Sequence, residues 1–359
     1  MNTWTGTSTT SVSVIPHSRP TVGEADLHVV AEVLKSGLIA QGDKVAGFEQ
    51  EMATMLGVKG GVAVSSGTAG LHLALLALDV GEGDEILLPT YACSALLHAV
   101  RAVRAVPRFV DCDPSTFNMD PDSARKARSP KAKAVIAVHS FGLPADLDAL
   151  KGLGLPLIEA AAQALGAFHR GRPVGSVGDV AVFSFYATKL ITTGEGGMVL
   201  SNDERVLAVA RDLRESDRKG NDRTRFNYKM TDFQGALGVT QLRRLPSFLE
   251  RRQMVASAYR ASLQALPLQL PLGSPDALRV YYRYVVNGPL PAESYLARLH
   301  GLGVEARRPV FQPLHRCLGL KGFPGGEEAW ERAISLPLYP SLSDEEITRI
   351  VESAREIFQ

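Results

Sequence analysis

Ser184-Phe185-Tyr186-Ala187-Thr188-Lys189-Leu190-Ile191-Thr192-Thr193-Gly194-Glu195-Gly196-Gly197 sets a lone lysine between two apolar runs. The apolar run Val180-Ala181-Val182-Phe183 precedes it and reads as a buried strand. The strand delivers a hydroxyl, Ser184, and then a single lysine, Lys189, into a loop. A glycine-rich turn follows, and Met198-Val199-Leu200 reads as the next strand. A lysine sheltered in such a loop suits Schiff-base chemistry, because partial desolvation favours the free, nucleophilic amine. A solvated loop lysine is the plain alternative, and the surrounding sequence decides between them.

Strand-like and helix-like segments alternate on both sides of this stretch. Val62-Ala63-Val64 is a short buried strand, and Ser66-Gly67-Thr68 caps a helix from Ala69 to Leu78. Glu85-Ile86-Leu87-Leu88, Arg108 to Asp111, Ala134 to Val138 and Pro156 to Glu159 read as further strands. Such alternation predicts an α/β fold with a largely parallel sheet between helices. Past residue 245 the pattern changes. Arg251 to Leu266 reads as a helix, Val280 to Val286 as a strand, and Ser294 to His300 and Asp344 to Phe358 as helices. This predicts three parts: a flexible tail over 1–15, a large domain over 16–245 and a smaller α+β domain over 246–359.

Composition narrows the class. The chain has 359 residues, a formal charge of +1 and 45% hydrophobic residues, as an ordinary globular protein does. That charge balance gives no case for a nucleic-acid surface. Its three cysteines, Cys93, Cys112 and Cys317, show no metal-ligand spacing, so no metal is expected. No apolar run reaches the roughly 18 residues of a membrane span. The Ser/Thr-rich N-terminus lacks the pattern of a signal peptide. A cytoplasmic protein with reduced thiols is the expectation.

Several blocks, in order, resemble the DegT/StrS family of pyridoxal-phosphate (PLP) enzymes, mostly nucleotide-sugar aminotransferases. They are Ser36-Gly37 with Gln41-Gly42, Ser65-Ser66-Gly67-Thr68-Ala69-Gly70, Gly83-Asp84-Glu85-Ile86 and Val138-His139-Ser140-Phe141-Gly142. Gln163-Ala164-Leu165-Gly166, the Lys189 block and Asn227-Tyr228-Lys229-Met230-Thr231-Asp232 complete the set. The resemblance runs from about Pro16 to the C-terminus. It implies a fold type I aminotransferase, a large domain with a mostly parallel seven-stranded sheet and a smaller C-terminal domain. It also implies a homodimer using PLP.

The resemblance assigns roles residue by residue. Lys189 would carry the cofactor as a Schiff base and then act as acid and base. Thr68 and the amides of Gly67 and Ala69 would hold the phosphate at a helix N-terminus, together with Ser184 and with Asn227 reaching over from a neighbouring subunit. Gln163 would lie against the ring near the phenolic oxygen. His315, Arg223 and Tyr186 are the candidates for substrate contact. Arginines and lysines of the charge-dense run 214–225 would clamp a diphosphate, unless that run is simply a solvated loop. His139 is read as structural.

Two cofactor positions depart from the family pattern. The family places an Asp against the pyridine nitrogen where this chain reads Ala160, in Glu159-Ala160-Ala161-Ala162. Glu159 is no substitute, since adjacent strand residues face opposite ways. The family often stacks an aromatic on the ring where this chain reads Cys93, with Tyr91 nearby as a replacement ring. The expected activity is amino transfer from glutamate, or glutamine, to a keto group of a nucleotide-linked sugar, for a surface polysaccharide or a secondary metabolite. The alternatives are a different PLP reaction on the same scaffold and a weakened homologue that binds a sugar nucleotide or a partner protein.

Overall fold

The computed structural model describes residues 13–217 and 220–359. Two helices open it, α1 (Glu24–Ser36) and α2 (Asp43–Leu56). Strand and helix then alternate: β1 (Gly60–Val64), α3 (Gly67–Ala77), β2 (Glu85–Pro89), α4 (Ser94–Ala102), β3 (Val106–Val110), α5 (Pro121–Ala127), β4 (Ala132–Val138), α6 (Leu147–Lys151) and β5 (Leu157–Ala160). A small ribbon, β6 (Phe168–His169) and β7 (Arg172–Pro173), leads into β8 (Val180–Ser184), β9 (Gly197–Ser201) and α7 (Glu204–Arg214).

Seven of these strands form one sheet in the order β1-β9-β8-β5-β4-β2-β3. Only β9 runs against the others. The expected mostly parallel seven-stranded sheet is therefore present. Alternation along each strand makes it a middle layer. Val62, Ile86, Ile136, Ile158 and Val182 join the apolar cluster that holds α3, α4 and α7 residues. Ala63, Ala181, Phe183 and Leu200 join the cluster of α2 and the next helix, and Leu87, Val135 and Leu157 that of α5 and α6. Both faces are buried, so these strands read as continuous apolar runs rather than alternating ones.

The helix α8 (Asp232–Leu263) runs for 32 residues and links the two halves. Leu242, Leu245 and Phe248 pack with the sheet's cluster, whereas Val255, Ala256, Tyr259 and Leu263 pack with a separate C-terminal cluster. The boundary drawn at 245 thus falls inside one helix, next to Pro246. The C-terminal half adds β10 (Ala277–Leu278), β11 (Tyr284–Asn287), α9 (Ala292–Gly301), α10 (Pro324–Arg332), β12 (Ala333–Leu336) and α11 (Asp344–Phe358). β11 and β12 pair antiparallel.

Two expectations change. The flexible tail expected over 1–15 lies outside the described residues for 1–12. Ile15, however, is buried in the C-terminal cluster and bonds with Gly303 and Glu305. Ile15 therefore packs on the small half before the chain enters the large one. The strand expected from Val280 begins only at Tyr284. The Val280 amide donates to Gly142, and buried Arg252 occupies the carbonyls of Tyr281 and Tyr282. Those groups are no longer free to form a ladder. Among the described residues, no helix is long and apolar enough to cross a membrane.

Candidate active site at the carboxyl edge of the sheet

Five parallel strands end along one edge. Out of them run the turn after β1, the Pro89–Cys93 segment after β2, His139 after β4, Gln163 after β5 and the Lys189 loop after β8. Ligands of parallel α/β sheets bind beyond this edge.

The turn between β1 and α3 is drawn tight against β8. A Cβ on Gly67 would lie 2.8 Å from the Ser184 Cβ, so only glycine lets the two backbones meet here. Ser66 caps α3 by accepting the Ala69 amide at 3.1 Å. The amides of Gly67 and Thr68 have no partner among the described residues. They form a donor pair at a helix N-terminus, where negative charge is favoured. Of the amides expected at the phosphate, that of Ala69 is engaged in the cap, whereas that of Gly67 is free, as is the Thr68 amide.

The Lys189 loop is closed by its own backbone. Phe185 donates to Gly196 and accepts from Thr193, and the Lys189 amide donates to Tyr186 at 2.8 Å. The Lys189 side chain is half-buried, and its Nζ lies 5.0 Å from the centroid of the Tyr282 ring. Tyr186 is exposed beside it, and its amide leans on Ser184 Oγ at 3.4 Å.

Glu159 and Ala160 face opposite sides of the sheet, as strand geometry requires. Glu159 is fully buried and accepts from the amides of Gly175, Val177 and Gly178, and from His139 Nε2 at 3.1 Å. Burial pushes its carboxyl up, but His139 and the amides outweigh that and hold it below the usual range. The His139 Nδ1 accepts from Ala145, so both ring nitrogens are engaged in a structural role. Ala160 belongs to the α3 face, in the cluster with Ala69, Val138 and Val182. Gln163 presents its Oε1 to the Phe141 amide at 2.8 Å, which leaves its NH2 end to donate.

Other candidates are placed differently. Cys93 is exposed at the N-cap of α4. Tyr91 cannot stand in as a ring for it: it is 1% exposed, stacked on Phe117, with its hydroxyl on the Ala329 carbonyl. His315 is also corrected. It is fully buried, bound to Thr90 Oγ1 at 2.5 Å and Glu327 Oε1 at 2.6 Å, and stacked on Phe323. No ring nitrogen remains for a substrate. Arg316 and then His315 hold the Glu327 carboxyl down to about 2, although burial opposes them.

Three arginines of the charge-dense run pair with carboxylates outside it. Arg214 is buried against Glu49 and the Ala63 carbonyl, and Arg225 is bound to Asp212 at 3.1 Å. These two are no diphosphate clamp. Arg223 also meets Asp212, at 3.2 Å, but half of its side chain is exposed. Arg218 and Lys219 lie outside the described residues. Phe226 and Tyr228 stack at 5.0 Å and pack inward, whereas Asn227 between them is exposed. The Tyr228 carbonyl accepts the Ser65 amide, which ties this segment to the turn between β1 and α3.

Sequence reading missed Thr188 and Tyr282 as neighbours of the lysine. The signal for Tyr282 was the run Tyr281-Tyr282-Arg283-Tyr284, which reads as an ordinary strand. The groups at the edge fit PLP at its phosphate and aldehyde ends: two free amides and a hydroxyl, and one amine. Ala160, where the family pattern has Asp, brings no carboxylate to this face of the sheet.

The family model described as the DegT/DnrJ/EryC1/StrS aminotransferase family matches residues 20–355. The spore coat polysaccharide biosynthesis protein SpsC of Bacillus subtilis is 34% identical, over 96% of this chain and 97% of its own. The aminotransferase TlmJ from Streptoalloteichus hindustanus superposes with a TM-score of 0.90 at 34% identity, covering 95% of this chain and 98% of that one. The PLP form of Spr1654 from Streptococcus pneumoniae superposes with a TM-score of 0.91 at 27% identity, covering 96% and 100%.

Proposed function

The chain belongs to the DegT/DnrJ/EryC1/StrS aminotransferase family, and from that premise we propose that it moves an amino group from glutamate, or glutamine, to the keto group of a nucleotide-linked sugar. Its cofactor is PLP, as in the family's PLP-form structure. When bound, PLP supplies an aldehyde that exchanges amino groups and a ring that withdraws electrons from the reacting carbon.

The chain's own residues divide the work. The Gly67 and Thr68 amides and the Ser184 hydroxyl would hold the phosphate. The Gln163 NH2 would donate to the phenolic oxygen, its orientation fixed by Phe141. Lys189 Nζ would anchor the cofactor covalently, then carry a proton off the amino donor's α-carbon and return it. Asn227 of the partner subunit would complete the phosphate site in a homodimer, as its outward placement between two inward rings allows. Tyr186 and Arg223, both exposed, are the substrate-facing groups.

The observation that carries this reading is the Lys189 amine at the same sheet edge as the two free α3 amides. Ala160 favours a second reading. A ring nitrogen without a carboxylate is a weaker electron sink, which suits a PLP reaction that needs less ring protonation.

A two-step experiment separates them. Glutamate alone should shift the cofactor absorbance of the purified protein, and a nucleotide-keto-sugar should reverse the shift. A cofactor band that ignores glutamate and glutamine would remove the aminotransferase reading. A protein that takes up no PLP would leave only a binding role.

A further inference from the structure

Tyr282 reaches the Lys189 loop from the C-terminal half of the chain. Its placement begins at Gly142, where φ is +91° and a Cβ would sit 1.7 Å from the Val280 carbonyl oxygen. Only glycine accepts both conditions. The Val280 amide donates to Gly142 at 3.0 Å, so residues 280–283 are held against the carboxyl edge instead of extending β11. Tyr282 is thereby buried in the apolar cluster that also holds Phe185, Leu190 and Ile191.

The charges around it are one-sided. Lys189 Nζ lies 5.0 Å from the Tyr282 ring centroid, and the Arg283 guanidinium carbon 5.1 Å. Arg252, fully buried in α8, donates to the carbonyls of Tyr281 and Tyr282 at 3.2 Å. Arg283 donates to the His17 ring at 2.9 Å, and Glu305 near His17 is engaged by Arg307. Among the described residues, no carboxylate pairs with Lys189, Arg283 or Arg252. The Tyr282 hydroxyl, 3.4 Å from Thr188 Oγ1, is the group positioned to supply negative charge.

We propose that Tyr282 is the positioning residue for Lys189: its ring seats the ammonium, and its phenolate is the counter-charge of the Lys189–Arg283 pair. This role rests on Lys189 being the anchoring lysine proposed above. Burial opposes ionisation of the phenol, but Lys189, Arg283 and the Thr188 hydrogen bond outweigh it and bring Tyr282 down to about 7. When Nζ gives up a proton, the phenolate loses one of its two flanking cations and takes up a proton at Oη. The net charge of the pocket then stays constant while the amine changes state.

Ultraviolet titration of the full-length, cofactor-free protein tests this through the tyrosinate band. The chain has nine tyrosines. One should ionise near neutral pH, and Tyr282→Phe, which keeps the ring, should abolish that step. Lys189→Met leaves the tyrosine in place and should raise the step by about one to three pH units. A wild-type protein with no tyrosine ionising before the ordinary range near 10 would overturn the proposal. So would a low step that survives Tyr282→Phe or ignores Lys189→Met. The Lys189→Met arm keeps the test open should Tyr282→Phe fail to fold. Failure of the anchoring role of Lys189 shows separately, as a PLP adduct on another lysine, whatever the tyrosinate band does.

Discussion

Glu159 and Ala160 are neighbours in sequence and lie on opposite faces of the sheet. Glu159 is consumed by three amides and His139, so it cannot turn to serve the cofactor ring. Ala160 has the right face and no carboxylate. A charge-assisted hydrogen bond contributes about 1.5–3 kcal/mol, and each 1.36 kcal/mol is tenfold in rate. Ala160→Asp should therefore raise the single-turnover rate with glutamate by roughly ten- to a hundredfold. An unchanged or lower rate in folded, PLP-loaded protein would favour a site rebuilt around a neutral ring. His17 gives a residue-scale prediction about stability. Burial first, then the charges of Arg283 and Arg307, lower it to about 3 from an ordinary value near 6.5. The unfolded chain then binds a proton that the fold refuses. The cost is absent above pH 6.5 and grows as pH falls toward 3. At pH 5 it amounts to about 2 kcal/mol, from 1.36 kcal/mol per unit. Denaturant unfolding at pH 5 and pH 7.5 should show wild type losing that much more than His17→Gln. Equal losses would contradict the buried neutral imidazole.

At the scale of elements, the turn between β1 and α3 is the part most plainly written in the sequence. Ser66-Gly67-Thr68 reads as a cap, and the structure shows Ser66 capping while glycine admits Ser184. Gly67→Ala would force a Cβ to within 2.8 Å of the Ser184 Cβ and push apart the turn and the hydroxyl proposed to hold the phosphate. A helix N-terminus stabilises an anion by about 0.3–2 kcal/mol, so PLP affinity should fall roughly two- to thirtyfold. Equilibrium dialysis reads this directly, and wild-type affinity would mean the phosphate lies elsewhere. The strands were legible because buried parallel strands are continuous apolar runs. The 280–283 segment was not, because its departure from β11 depends on Gly142 and Arg252, which lie far away in sequence. His315 was misread for a related reason. Its burial follows from Thr90, Glu327 and Phe323, none adjacent to it in the chain. Sequence motifs pointed to a turn with free amides and to a lysine at one sheet edge, but not to the side chains that tertiary packing brings to them or withdraws.

For the whole molecule, one chain presents Lys189 at the sheet edge and Asn227 outward between two inward rings. A homodimer with shared sites follows as the proposed assembly, since a two-fold interface builds two equivalent sites at once. Lys189→Ala and Asn227→Ala proteins should each be nearly inactive. Mixed under subunit exchange, they form hybrids with one intact site in two, so activity should recover toward a quarter of wild type on the order expected for random pairing. A fully active monomer would contradict the shared site. The account stands or falls on Lys189, because the aminotransferase reading and the Tyr282 counter-charge both depend on it. Borohydride reduction of PLP-loaded protein, followed by peptide mass mapping, tests it most directly. The account predicts one reduced PLP adduct, on the peptide containing Lys189, absent from Lys189→Ala; an adduct on any other lysine, or none in PLP-saturated protein, would contradict it.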